Sequence, residues 1–121
     1  MEGKILVVED DMDMRELLDE YLGDNGFEVE AAATGKEAME KFRATKPHLV
    51  LLDVVLPDMN GFDVCKQMKE LSKSVKIIVY TGKVDAVDAA KARKAGADDF
   101  VVKTQDLSYV IESVRKLLAK K

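Results

Sequence analysis

Short aliphatic runs alternate with amphipathic segments along the whole chain. The aliphatic runs cover residues 5–8, 27–29, 49–52, 75–79 and 100–102, and each is followed by apolar residues at helical spacing. Runs of this length and composition are typical of strands, and apolar residues three or four apart are typical of helices. The pattern therefore predicts five strand–helix pairs.

Glycine and capping residues mark the ends of these predicted elements. Thr34 and Glu37 have the spacing of a capping box, and Gly26, Gly61 and Gly96 fall at element boundaries. No linker, repeat or low-complexity tract interrupts the pattern, so we expect one domain over residues 1–121. Apolar strands that alternate with helices imply a parallel sheet covered on both faces, which is an α/β fold of three layers.

One aspartate interrupts the third aliphatic run, because Asp53 lies in the stretch LVLLDVVL. A carboxylate among apolar residues needs a partner or a cation, since its burial is otherwise costly. In open parallel sheets, ligands bind beyond the carboxyl ends of the strands, where the winding direction reverses. Polar residues also follow the first, fourth and fifth strands at that edge: Glu9-Asp10-Asp11, Thr81-Gly82 and Lys103-Thr104.

The acidic residues of this edge predict a magnesium site. If the first and third strands are neighbours, Glu9, Asp10 and Asp53 converge, and their carboxylates repel one another unless a cation lies among them. A few oxygen ligands with room for water and a phosphate oxygen suit Mg²⁺ better than Ca²⁺ or Zn²⁺. With Lys103 and a hydroxyl donor, these are the parts of a phosphoryl-transfer site in which Asp53 becomes an acyl phosphate.

Composition and charge exclude several classes of function. The chain has 121 residues, a formal charge of −4 and a pI near 5.1, which argue against direct binding of nucleic acid or of an anionic membrane. One cysteine and one histidine provide neither an internal disulfide nor a multi-histidine metal site. The sequence contains no signal-peptide core and no apolar run of roughly 18 residues, so we expect a cytoplasmic protein.

The motifs ILVVEDD, LVLLDVVLPDMNGFDV, IIVYTG and AGADDFVVK occur in an order that resembles the receiver domain of two-component response regulators from end to end. The resemblance implies a doubly wound (βα)5 flavodoxin-like fold with strand order 2-1-3-4-5. It also implies a regulatory domain, not an enzyme in its own right, that assists its own phosphorylation and dephosphorylation.

The resemblance assigns a role to each residue of the acidic edge. Asp53 is the phosphoacceptor, Asp10 binds Mg²⁺ directly and Glu9 acts on it largely through water, and the backbone carbonyl of Val55 completes the ligands from the protein. Thr81 donates a hydrogen bond to the phosphoryl oxygens, and Lys103 pairs first with Asp53 and then with the phosphoryl group. Phe100 is the switch aromatic.

By the same resemblance, the phosphoryl group comes from a histidine kinase or a phosphotransfer protein. Phosphorylation draws the Thr81 loop inward and lets Phe100 swing, which changes the surface of the fourth helix, fifth strand and fifth helix. That surface controls a downstream protein or an output domain that this chain lacks. Its charged residues, Lys91, Glu112 and Arg115 among them, resemble those of receivers that form homodimers there.

Two positions depart from the family pattern. Thr104 follows Lys103 where the family commonly has proline, so we expect a trans peptide and a rearranged loop in which Lys103 still reaches the site. Gly82 stands where a small alanine is frequent, which removes steric bulk at the phosphoryl entrance and predicts altered kinetics.

Three other functions remain as alternatives. A pseudo-receiver would bind proteins without phosphorylation, but the complete set of charged residues speaks against it. A phosphatase of the haloacid-dehalogenase type needs a second aspartate where this chain has Val55. A flavodoxin-like electron carrier needs a Ser/Thr-rich loop after the first strand, where this chain is acidic.

Overall fold

The computed structural model describes residues 3–82, 86–103 and 107–119, and the side chains of residues 86–88 lie outside this description. Five strands alternate with five helices: β1 (Lys4–Val8), α1 (Met12–Asp24), β2 (Glu28–Ala32), α2 (Gly35–Thr45), β3 (Leu49–Leu52), α3 (Gly61–Leu71), β4 (Lys76–Thr81), α4 (Ala86–Lys94), β5 (Asp99–Val102) and α5 (Ser108–Ala119). None of the described helices is long and apolar enough to cross a membrane.

The strands form one parallel sheet in the order β2-β1-β3-β4-β5, which confirms the predicted fold class and strand order. Because side chains alternate across a strand, Ile5 and Val7 pack on one face, and Leu6 and Val8 pack on the other. The first face is covered by α1 and α5, and the second by α2 and α3. Burial on both faces explains why the strands read as continuous aliphatic runs.

Side-chain caps fix where the helices begin. Asp11 Oδ1 accepts a hydrogen bond from the Asp13 N–H at 3.0 Å, and Thr34 Oγ1 accepts one from the Glu37 N–H at 3.0 Å. The Glu37 side chain in turn accepts from the Ala33 N–H at 2.7 Å. The predicted helix start at Thr34 is therefore confirmed.

Strand bounds differ from the prediction at β2, which was expected at residues 27–29 and runs over Glu28–Ala32. This strand is at the edge of the sheet, and Glu28 and Glu30 on it are exposed. Its polar and apolar residues alternate, so the aliphatic run underestimates its length. In the interior of the same sheet, β4 continues to Thr81, beyond the expected end at residue 79.

Candidate functional site

The strand order places the winding reversal between β1 and β3, since β2 lies outside β1 and β4 lies outside β3. Hydrogen bonds continue past the carboxyl ends of both strands. The Asp53 N–H donates to the Val8 carbonyl at 3.0 Å, and the Glu9 N–H donates to the Ala32 carbonyl at 3.0 Å. These bonds fix the backbone of Glu9 and Asp53 side by side at the edge where ligands bind in such sheets.

Three carboxylates meet at this edge, as the sequence predicted. Glu9, Asp10 and Asp53 each place one carboxylate oxygen within 4.8 Å of the others. Glu9 and Asp53 are buried, with 1% and 4% of their surface exposed, and Asp10 is exposed. The cluster therefore combines two desolvated charges with one that faces solvent.

Lys103 supplies the positive charge of the cluster. Its Nζ atom lies 2.6 Å from Asp53 Oδ2 and forms a second ion pair with Glu9 Oε1. The backbone N–H of Lys103 donates to the Thr81 carbonyl at 2.8 Å, so β4 fixes the start of the loop that follows β5. Among the described residues, this ammonium group pairs with two of the three carboxylates, so the cluster of four side chains stays net negative.

Burial and charge shift the ionisation of this cluster. Burial raises the pKa of Glu9 above 4.5, and the nearby Asp53 charge adds to the rise, while hydrogen bonds from Lys103 and Asp11 oppose it. Burial also lowers the pKa of Lys103, but Asp53 and Glu9 outweigh burial and raise it above its ordinary value. Lys103 therefore stays charged at neutral pH, whereas the ionised form of Glu9 is stabilised by any added positive charge.

The donor set fits Mg²⁺. All three side chains offer hard carboxylate oxygens, and the exposed Asp10 leaves the cluster accessible from solvent. The loop after β3 is held against the cluster, since the Val55 N–H donates a hydrogen bond to Asp53 Oδ1 at 2.9 Å. Val55 also forms an isolated antiparallel β-bridge with Asn60. Gly61 permits this loop, because a Cβ atom at that position would overlap the backbone of Val54.

The remaining predicted residues lie around the same edge. Thr81 ends β4 and is buried, and Phe100 on β5 is half-buried opposite Val79. Gly82 is exposed, and a Cβ atom there would meet no heavy atom of the described residues within 4 Å. Thr104 lies outside the described residues, and so does the predicted trans peptide between Lys103 and Thr104.

Sequence reasoning missed two residues that support the acidic loops. The Arg15 guanidinium donates to the carbonyls of Glu9 and Asp10 at 2.9 and 3.3 Å, which holds the loop between β1 and α1. Asp58 accepts from two N–H groups in the first turn of α2, and these hydrogen bonds hold its pKa below 3.8. Arg15 lies one helical turn beyond the Asp11 cap, and that spacing is the only signal for it in the sequence.

A cavity of about 660 Å³ lies at the amino-terminal ends of β3 and β4, near His48 and Lys76. The carboxyl ends of α2, α3 and α5 converge on it, so partial negative charge faces the cavity. Arg43 and Lys46 offset that charge, and none of the described residues that line the cavity is acidic. The titratable cluster that can perform chemistry is therefore at the carboxyl edge.

Known proteins are similar to this chain in both sequence and fold. The family model of the response regulator receiver domain matches residues 5–115. The chemotaxis protein CheY of Thermotoga maritima is 37% identical over 118 residues, which cover 97% of this chain and 98% of CheY. The DNA-binding response regulator MtrA of Mycolicibacterium smegmatis is 39% identical over 98% of this chain, which spans 51% of MtrA.

A solved structure extends the likeness to the backbone. The response regulator protein TrrA from Thermotoga maritima, in complex with Mg²⁺-BeF, superimposes with a TM-score of 0.87 and 36% sequence identity. The match covers 94% of this chain and 97% of TrrA. The chain belongs to the response-regulator receiver domains of two-component signal transduction.

Proposed function

We propose that this chain is a phosphorylation-dependent switch that accepts a phosphoryl group on Asp53. One observation carries the proposal: the buried Asp53 carboxylate lies at the strand edge between two further acidic residues and the Lys103 ammonium. A carboxylate nucleophile, a cation site and a fixed ammonium are the parts that phosphoryl transfer requires. Residues 1–121 form one receiver domain in this proposal.

Each neighbour of Asp53 has a role in the transfer. Glu9, Asp10, Asp53 and the Val55 carbonyl hold Mg²⁺, which neutralises charge on the phosphoryl oxygens when it is bound. Lys103 pairs with Asp53 beforehand and with a phosphoryl oxygen afterwards. The Thr81 hydroxyl donates a hydrogen bond to another phosphoryl oxygen.

In the transfer itself, an Asp53 carboxylate oxygen attacks the phosphorus atom of a phosphohistidine on a histidine kinase or phosphotransfer protein. A new oxygen–phosphorus bond forms as the nitrogen–phosphorus bond breaks, and the imidazole nitrogen leaves with the electron pair. Hydrolysis of the acyl phosphate later restores the carboxylate. The domain assists both steps by positioning groups, and its output is binding.

The signal passes from Thr81 to β5 in this proposal. Val79 and Thr81 on β4 pair with Phe100 and Val102 on β5, so an inward shift of the Thr81 loop acts directly on the neighbouring strand. Phe100 also lines a cavity of about 400 Å³ with residues of α5, so its ring borders the surface that is proposed to change. The changed surface of α4, β5 and α5 then controls a downstream protein or an output domain.

Intact-mass measurement after incubation with acetyl phosphate tests the proposal. Wild-type protein gains one labile phosphoryl group when Mg²⁺ is present, and Asp53→Asn gains none. Asp24→Asn makes the same chemical change on the exposed end of α1, away from the cluster, and is modified like wild type. An adduct on Asp53→Asn, or no adduct on the folded wild type with Mg²⁺, overturns the proposal.

The same surface is proposed to form a homodimer after phosphorylation. Lys91, Glu112 and Arg115 are exposed on α4 and α5, so a two-fold axis can bring opposite charges together. Sedimentation velocity with and without acetyl phosphate measures the change in mass. A monomer of unchanged mass after complete phosphorylation of Asp53 removes the dimer from the proposal.

A further inference from the structure

Tyr80 lies beside the acidic cluster without belonging to it. The residue is on β4 immediately before Thr81, and only 2% of its surface is exposed. The Lys103 Nζ atom lies over its ring, 5.7 Å from the ring centroid, which is within the range of a cation–π interaction. The ring therefore contacts the cation that also pairs with Asp53 and Glu9.

Core packing accounts for part of this arrangement, since Tyr80 belongs to the hydrophobic cluster beneath α1 and α5. It does not account for the hydroxyl group, which is buried and finds no hydrogen-bond partner in the described part of the chain. The contact with Lys103 is made by the ring, which phenylalanine would supply equally, so the ring and not the hydroxyl group bears on the position of Lys103. An aromatic ring under an ammonium group indicates a second task.

The contacts of Lys103 differ in whether phosphorylation disturbs them. In the proposed function, its two carboxylate partners become engaged with a cation and a phosphoryl group. The ring of Tyr80 takes no part in that exchange, because it is fixed by β4 and by packing on the sheet. The 2.8 Å hydrogen bond from the Lys103 N–H to the Thr81 carbonyl joins the ends of β4 and β5 before any ligand binds.

We propose that Tyr80 is a positioning residue for Lys103. Its ring holds the ammonium group at the phosphoryl site while the carboxylate partners change. The inference rests on the proposed function for its catalytic consequence, but the contact itself exists before any ligand binds. Position and consequence can therefore be tested separately.

Proton NMR of the metal-free protein tests the position. A group stacked on a ring face is shielded, so the Lys103 ε-methylene protons appear upfield of those of the other lysines. The signal is identified by its loss in Lys103→Met. It stays upfield in Tyr80→Phe, which keeps the ring, and returns to the ordinary lysine position in Tyr80→Leu. A Lys103 signal at the ordinary position in wild type overturns the inference without any variant.

The rate of phosphorylation by acetyl phosphate with Mg²⁺ tests the consequence. From the strength of a partly buried cation–π contact, we expect Tyr80→Leu to react about tenfold more slowly than wild type. Tyr80→Phe recovers most of that rate. Mg²⁺ affinity, measured by calorimetry, stays the same in both variants because the carboxylates are untouched. Ile78→Val, a change in the same hydrophobic cluster, leaves the rate unchanged.

The possible results separate the two proposals. A folded Tyr80→Leu that reacts at the wild-type rate overturns the positioning role, whatever the fate of Asp53. Wild type that gains no phosphoryl group overturns the proposed function, and the upfield signal still decides the position of Lys103. If Tyr80→Leu does not fold, the wild-type and Tyr80→Phe spectra decide the question.

Discussion

Replacement of Lys103 by methionine leaves two buried carboxylates without their cation. The Nζ atom lies 2.6 Å from Asp53 Oδ2 and also pairs with Glu9, and 21% of the lysine side chain is exposed. At an effective dielectric constant of about 20, unit charges at this separation attract by roughly 6 kcal/mol. Desolvation of the ammonium group offsets part of that attraction. Since removal of one partner from a buried pair costs about 3–5 kcal/mol, we expect Lys103→Met to lower the free energy of unfolding by about 3 kcal/mol.

In the proposed function Mg²⁺ binds the same carboxylates of the folded protein, so it should supply positive charge there and reverse much of this loss. Urea unfolding followed by circular dichroism, without Mg²⁺ and at saturating Mg²⁺, measures both effects. Lys66→Met is the matched control, since Lys66 is exposed on α3 and makes no ion pair with any described residue. The reasoning is refuted if Lys103→Met is as stable as wild type without Mg²⁺, or if Mg²⁺ stabilises Lys103→Met and wild type equally.

Four further predictions concern residues near and away from the cluster. Gly61→Ala displaces the Val54 backbone and slows phosphorylation by acetyl phosphate, whereas Gly82→Ala fits without a clash and raises the free energy of unfolding in urea by about 0.4–1 kcal/mol. Asp58→Ala lowers stability at neutral pH. Because the pKa of the folded Asp58 lies below 3.8, the stability that its carboxylate contributes is lost as pH falls through that pKa. Free energies of unfolding in urea, measured at several pH values for wild type and Asp58→Ala, should therefore converge in acid. Burial raises the pKa of Cys65 to about 11, so the thiol should react with a disulfide reagent at pH 8 only in urea, and rapid labelling of the native protein contradicts its burial.

The fold was predictable because its signal is repeated. Each of β1, β3 and β4 is buried on both faces, so each reads as an aliphatic run, and the helices between them carry a regular apolar spacing. The edge strand β2 gave a weaker signal because Glu28 and Glu30 face solvent. Its bounds were therefore the least accurate, although its place in the strand order was correct.

The acidic cluster was predictable for a different reason. Glu9, Asp10 and Asp53 directly follow strands, and parallel strands bring their carboxyl ends to one edge, so the strand order alone determines that these residues meet. Arg15 and Asp58 act through backbone carbonyls and N–H groups of loops. Every residue offers those groups, and no pattern of side chains in the sequence reveals which ones will be used.

Lys103 shows why a set of charged residues alone does not determine the geometry of such a site. The sequence places a threonine after this lysine, and the identity of Lys103 says nothing about what directs its side chain. In the structure, β4 does so twice, through the Thr81 carbonyl on the backbone and the Tyr80 ring under the ammonium group. In the sequence, Tyr80 is one more apolar residue of a strand. The position of the Tyr80 ring beside Lys103 follows from the register between β4 and β5, in which Tyr80 pairs with Val101, two residues before Lys103. A shift of that register by one residue would turn the ring to the opposite face of the sheet and leave Lys103 to the carboxylates alone.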